Sequence, residues 1–272
     1  WRPWAPRREA MSGRPPDEIW EDGLDEGERR LKRSPAALAA TGGVDVFFGI
    51  LALAVATGAF DAAMPEETAH VAASVFFGIG FAFITIGRAE LFTENFLIPV
   101  GAVFSGRAPL AALLRMWAIT LVVNFVGLFL FAAVFAVEDV LEPATREAAG
   151  KLADTLGTRE NGAAFLSAVA AGTIMTLFTW VAAAAESAVG RIVASLIVGF
   201  LLAAPSLNHA VVGFGEMAFG LLAGTAEIGW RDFARNTAIA IVGNFIGGVG
   251  LVFTTRLAQV RGEPGSESGS PG

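Results

Sequence analysis

Six long apolar runs decide what this chain can become. They cover residues 44–60, 71–86, 110–137, 163–185, 192–204 and 237–254. Several approach the roughly 20 residues needed to cross a hydrocarbon core about 30 Å thick. In lipid a backbone must satisfy its own polar groups, so runs of this length predict helices. No alternating pattern of the kind a membrane barrel needs is visible. Of the 272 residues, 54% are hydrophobic and the mean hydropathy is +0.59. A soluble domain sits nearer roughly 45–50% apolar. The predicted fold class is therefore an all-α polytopic membrane protein.

Composition also excludes chemistry. With no cysteine there is no disulfide, thiolate metal site, iron–sulfur cluster or cysteine-ligated haem. Two histidines are too few for a protein-built transition-metal site, and no cofactor is expected. The net charge of −7 says little about a substrate. Much of it lies in Asp17, Glu18, Glu21, Asp22, Asp25, Glu26 and Glu28, and in the 138–160 loop. Residues 1–43 are polar and acidic, unlike a cleavable signal. Trp1 is no initiator, so the reading puts the natural start at Met11 or takes the chain as trimmed.

Three regions follow. Residues 1–35 are a polar, acidic tail. Its Ile19, Trp20, Leu24 and Leu31 either form a weak amphipathic stripe lying on the membrane or belong to a disordered segment. Residues 36–260 form the membrane domain. Residues 261–272 are rich in Gly, Ser and Pro and are expected to be disordered.

Orientation comes from Lys and Arg near the span ends. Arg29, Arg30, Lys32 and Arg33 precede the first run, and with six crossings Arg107, Arg191, Arg256 and Arg261 share their side. The opposite side carries Asp61–Thr68 with no base, the net-acidic 138–160 loop and Arg231. Both termini are thus expected in the cytoplasm, with the chain in the cell membrane.

The second and fifth segments are wrong for ordinary helices. After Val71–Ile86 come Gly87-Arg88-Ala89-Glu90-Leu91-Phe92-Thr93-Glu94-Asn95, then apolar residues to Phe104. The fifth is cut by Pro205-Ser206-Leu207-Asn208-His209 into pieces of about 13 residues, too short to span alone. Polar, Pro-interrupted breaks in two halves of a chain point to a midplane site built from discontinuous helices. The halves also echo each other. Asn124-Phe125-Val126-Gly127 lies in the third run and Asn244-Phe245-Ile246-Gly247 in the sixth. Three segments per half would set the halves in opposite orientations, an inverted repeat.

His209 is the leading functional candidate, because an ionisable group inside an apolar run is costly and by default functional. Near the start of the second half-helix, the helix dipole would disfavour imidazolium. A resting neutral histidine that protonates when an anion arrives is a workable pore device. The bland alternative is a histidine tying one helix to a neighbouring carbonyl. His70 opens the second span and reads as interfacial. Arg88, Glu90 and Glu94 either line a polar re-entrant loop or hold its shape, with an Arg88–Glu90 pair as one way to do so. Thr93 and Asn95 of that loop would face the pore in the first case. Glu216 is seven residues after His209 on about the same helix face and lines a vestibule or meets a neighbouring subunit. Asn124 and Asn244 either line the pore or bond the broken loops, the second being favoured. Gly243 and Gly247 have helix-packing spacing.

Together these residues resemble the formate/nitrite transporter family. The resemblance rests on Glu90-Leu91-Phe92-Thr93, on His209 after the break in the fifth segment, and on the paired Asn-Phe-(Val/Ile)-Gly motifs. It covers about residues 36–260. It implies six transmembrane helices with an aquaporin-like inverted repeat, the second and fifth segments broken. It further implies a homopentamer with a pore in each protomer, passing small monovalent anions such as formate, nitrite or hydrosulfide, often with a proton. Thr93 matches the loop threonine that bonds the central histidine, and His209 matches that histidine. Phe77, Phe81 and Leu202 fall where apolar side chains constrict the pore. The chain departs at Glu94, where members carry a small or neutral residue. Asn208 replaces an acidic residue, Gly213 an Asn, and Thr176 an Asn that contacts the histidine. Arg88 and Glu216 are additional charges. These departures mark a divergent branch.

The leading expectation is a channel or proton-coupled transporter in which a proton shared with His209 lets a weak acid cross as a neutral molecule. A pore for small neutral solutes is the alternative, since Glu94 and Glu216 would repel anions. A membrane sensor or scaffold has only the acidic tail in its favour. An enzyme is not expected, because a lone His beside Ser206 with no oriented third group is a poor catalytic set. The expected partners are a small anionic or neutral solute, the lipid bilayer and further copies of this chain, with no nucleic acid.

Overall fold

Apolar runs that must hydrogen-bond internally leave the backbone one choice, and every regular element among the described residues is helical. A computed structural model describes residues 14–262, giving only the backbone of 35–40. The expectations for Met11 and for the tail beyond residue 262 lie outside the described residues.

The order is α1 (Pro16–Lys32), α2 (Pro35–Asp61), α3 (Glu66–Gly87), a 3-10 turn (Phe92–Phe96) and α4 (Ile98–Phe104). Then follow α5 (Leu110–Phe135), α6 (Pro143–Gly157), α7 (Asn161–Ala184), α8 (Ala188–Ala203) and α9 (Ala210–Ala223). The described residues end in α10 (Trp230–Phe245), a π-helical stretch (Ile246–Phe253) and α11 (Thr254–Arg261), which run on as one rod. Among the described residues five helices are long and apolar enough to cross a membrane: Thr41–Asp61, Glu66–Gly87, Leu110–Phe135, Asn161–Ala184 and Trp230–Arg261. The shorter apolar pieces are Phe92–Phe104, Ala188–Ala203 and Ala210–Ala223.

Local chemistry explains where helices stop. α3 ends at Arg88, which adopts the left-handed conformation at φ 57°, turning the chain into the non-helical residues 89–91. α8 ends before Pro205, which lacks an N–H, and Ser206 sits at φ 49°. The chain re-enters helix at Ala210 with the His209 side chain as N-cap.

The core runs between α2, α3, α5, α7, α8 and α9, around Phe47, Phe77, Phe81, Leu91, Phe96, Phe178 and Phe219. Outside it, α5 exposes Val122, Val126, Leu130 and Val134, an i, i+4 stripe that water would not tolerate and lipid or a neighbouring copy would. At one end α6 packs over α9 and α2. Lys151 of α6 is bound to Asp61 of α2 at 2.7 Å, and that hydrogen bond, with the carboxylate's charge, holds the ammonium above its ordinary range.

At the other end, the acidic tail segment is a helix seated on protein. Ile19, Trp20 and Leu24 of α1 are buried against Leu97, Val100, Leu113, Trp180 and Phe253. Arg107 holds Glu21 and Asp25 at 2.6 Å each, fixing the polar side of α1. The stripe that the sequence offers to the membrane is thus spent on α4 and the end of the rod.

Candidate functional site

The 3-10 turn that follows the first break and the end of the second break, 204–209, meet at one bond. Thr93 Oγ1 and His209 Nε2 lie 2.8 Å apart, and both residues are fully buried. The other ring nitrogen, Nδ1, accepts the Val212 N–H at 3.1 Å. A backbone amide can only donate, so Nδ1 carries no proton and the neutral ring holds its proton on Nε2. His209 therefore donates to Thr93. An imidazolium would set a second donor against the Val212 N–H and break the cap of α9.

Each segment is held by an asparagine in the same way. Asn124 Oδ1 accepts the Phe92 N–H at 2.9 Å, and its Nδ2 donates to the Glu90 carbonyl at 3.0 Å. Asn244 Oδ1 accepts the Ala210 N–H at 2.9 Å, and its Nδ2 donates to the Asn208 carbonyl at 3.0 Å and to Ala168 O at 2.8 Å. In each half the amide spans one residue, reading the carbonyl before it and the N–H after it. The bracketed residue is Leu91 in one half and His209 in the other. Close approach needs glycine: a Cβ on Gly43 would overlap the Asn124 carbonyl, and one on Gly172 the Asn244 carbonyl. Gly172→Ala should therefore push α7 from α10 and cost about 1–3 kcal/mol, as overpacked cores do. A lowered thermal midpoint in detergent measures it, and an unchanged midpoint would mean the helices part freely.

His209 lines a small cavity, and a larger one lies beyond Phe81. The small one, about 10 Å³, is lined by His70, Phe77, Leu202, Ser206, His209 and Glu216, with Leu152 and Leu156 of α6. It is on the scale of a single water. The large one, about 490 Å³, opens under α1 and is lined by Arg29, Arg30, Arg33, Arg88 and Arg191 together with Glu26, Glu90, Glu94 and Phe178. Phe81 packs between them, with its ring 5.4 Å from Phe77 and 5.9 Å from Phe178. An apolar plug of this kind opposes a bare charge, because an unpaired ion is costly to bury.

The remaining candidates divide. Glu94 Oε2 accepts the Leu91 N–H at 3.3 Å and faces the large cavity. Glu90 lies 3.9 Å from Arg30 of α1, so its ionic partner is Arg30 and not Arg88. Arg88 is exposed at the mouth of the large cavity. Asn95 is buried and donates back to Leu91 O. Asn208 faces away from both cavities: it forms a two-way amide pair with Asn236, at 3.0 and 2.9 Å, and also donates to Ala164 O. The Thr176 hydroxyl donates to Gly172 O within its own helix, and no bond joins it to His209. His70, half-buried in the second turn of α3, lines the small cavity, 3.0 Å from Ala203 O and 3.2 Å from Ser206 Oγ. Asn236, Ser167 and Arg159 are additions: Ser167 accepts from the Asn208 N–H and from Arg159, which also donates to Ser206 O. No motif or spacing in the sequence announces them.

Apolar helices of membrane length, packed around two non-helical segments with the His209 imidazole buried at their meeting point, mark a polytopic membrane protein. The chain belongs to the formate/nitrite transporter family, whose description matches residues 17–258, and is a membrane transporter or channel of that family. It is 26% identical over 256 residues to the uncharacterized transporter YrhG of Bacillus subtilis, covering 89% of this chain and 93% of that protein. It is 25% identical over 259 residues to the formate channel BtFdhC of Bacillus thuringiensis, covering 89% and 94%. Among solved structures, an FNT family ion channel superposes with a TM-score of 0.79 at 17% identity, covering 91% of this chain and 99% of the other. A pentameric formate channel with formate bound superposes at 0.68 and 15% identity, covering 88% and 98%.

Proposed function

We propose that the protein passes small monovalent anions, with formate as the first candidate, accompanied by a proton, through a pore in each protomer of a homopentamer. In this reading α8 and α9 together make one crossing, giving six, and the two broken segments lie near mid-membrane. Both termini are cytoplasmic, so the large cavity is the inner vestibule. Its arginines collect anions, and the stripe on α5 is covered by lipid or a neighbouring protomer.

The observation that carries the reading is the Nε2–H of His209, a buried donor at the small cavity whose partner, the Thr93 hydroxyl, an anion can replace. A donor aimed where charge must pass stabilises an anion that the surrounding Phe77, Phe81 and Leu202 would otherwise reject. Kinship with BtFdhC, described as a formate channel, supports formate as the first solute to test. The Glu94 and Glu216 carboxyls favour a second reading, a pore for small neutral solutes.

Flux into liposomes of formate, nitrite, acetate, hydrosulfide and glycerol at two pH values separates the two. The anions should pass well above the protein-free leak and faster at lower pH, with glycerol at background. Rapid glycerol flux that ignores pH would favour the neutral-solute pore.

A further inference from the structure

We propose that Glu216 is the proton-exchanging group of the pore, at which a permeating weak acid gains or loses its proton beyond His209. The inference rests on the reading above, that anions pass with a proton.

His209 cannot supply that proton by itself. With Nδ1 committed to the Val212 N–H, the neutral ring can lend a hydrogen bond from Nε2, and giving that proton away outright would leave an imidazolate. Another group on the path must hold an exchangeable proton. Glu216 lies two turns along α9, about 10 Å from the cap along the helix axis. It is 8% exposed, and its carboxyl lines the same small cavity as His209 and His70. No hydrogen bond to it is found among the described residues, unlike Glu94, which holds the Leu91 amide. A buried carboxyl without a partner is costly to keep and has no evident packing role there. It is free to exchange a proton with whatever enters the cavity.

The charged groups on the elements packed against α9 are engaged elsewhere or exposed. From α6, Arg146 donates to Ala223 O, Lys151 to Asp61 of α2, and Asp154 accepts the Glu227 and Ile228 amides; Glu147 is exposed. From α10, Arg235 donates to Gly157 O and Asp232 accepts the Gly229 amide; Arg231 is exposed. Arg115 of α5 is exposed, and Asp45 of α2 faces Gly87. The charge acting on Glu216 is that of Arg159, whose guanidinium is already bound to Ser167 and to the Ser206 carbonyl.

The step balances. An anion entering from the α6 side takes the proton of the Glu216 carboxyl: one O–H bond breaks on Glu216 and one forms on the anion. The neutral acid passes His209, which only hydrogen-bonds to it, and releases its proton to water in the large cavity. Water on the α6 side reprotonates the carboxylate. One proton and one anion cross together.

The test is formate flux into liposomes, above the protein-free leak, at about pH 5.5 and about pH 7.5, the range over which a proton-coupled flux responds to proton supply. Wild type should show a ratio of about tenfold or more between the two, because proton supply changes about tenfold per pH unit. Glu216→Gln keeps the shape and removes the exchangeable proton, so the ratio should fall to within about twofold. Glu216→Asp keeps a carboxyl and should keep the ratio at reduced flux, which serves if the Gln variant does not fold. A Gln variant with the wild-type ratio, or an Asp variant that loses it, overturns the assignment to Glu216 alone. Wild-type flux without pH dependence, or no formate flux at all, instead overturns the proton-coupled reading beneath it.

Discussion

His209→Asn is expected to lower formate flux by roughly tenfold to a hundredfold while the protein still folds. A hydrogen bond to a charged group contributes about 1.5–3 kcal/mol, and each 1.4 kcal/mol is about a factor of ten. Asn is a good N-cap, so its Oδ1 can take over the Val212 N–H and preserve the start of α9. Its shorter side chain does not bring a donor to where Nε2 meets Thr93. What remains of the flux should still respond to pH, because the variant removes a donor and not the exchangeable proton. Thr93→Val, which frees the ring from its hydroxyl partner, should have a milder effect of the same sign. Stopped-flow flux at one pH, with the melting curve as a control on folding, measures both. Wild-type flux in the Asn variant would reduce His209 to a helix cap.

Asn244→Leu should be the most destabilising single change in the second half of the chain. It removes an acceptor from the Ala210 N–H and a donor from two carbonyls, Asn208 and Ala168. All of these groups are buried, and each buried polar group left unpaired costs about 1–3 kcal/mol. Three such groups total about 3–9 kcal/mol, which corresponds to a thermal midpoint lowered by roughly 10 °C or more for a chain of this size. Asn244→Asp keeps the acceptor and loses the donor, so it should fall between wild type and Leu. A drop of less than about 2 °C for the Leu variant would show that the 204–209 segment is held by other contacts.

Much of this fold is legible in the sequence because lipid leaves a backbone few options. The apolar runs fix the helices, Pro205 fixes the break before His209, and the repeated Asn-Phe-(Val/Ile)-Gly motif marks two equivalent places. What is not legible is which atoms meet. Ile19, Trp20 and Leu24 make an amphipathic face whose pattern is the same whether lipid or protein covers it, and here protein does. Glu90 has Arg88 two residues before it in sequence, yet its partner is Arg30, sixty residues away in the chain. Asn208 stands beside the histidine in sequence and points to Asn236 in space, because residues adjacent in an extended segment face opposite ways. The π-helical stretch at Ile246–Phe253 has only its glycines, Gly247, Gly248 and Gly250, as a hint.

The paired asparagines have a consequence for how such a protein can change. Each amide grips a carbonyl and an N–H of the main chain, groups that every residue but proline presents. The grip is blind to the side chain it brackets, so Leu91 and His209 can occupy matching places without any adjustment of the clamp. Only proline at Phe92 or Ala210 would be refused on that ground. Holding the loop and choosing the solute are thereby separate inheritances. A lineage can rewrite the chemistry at the centre of the pore, one residue at a time, while the scaffold that exposes it stays as it was.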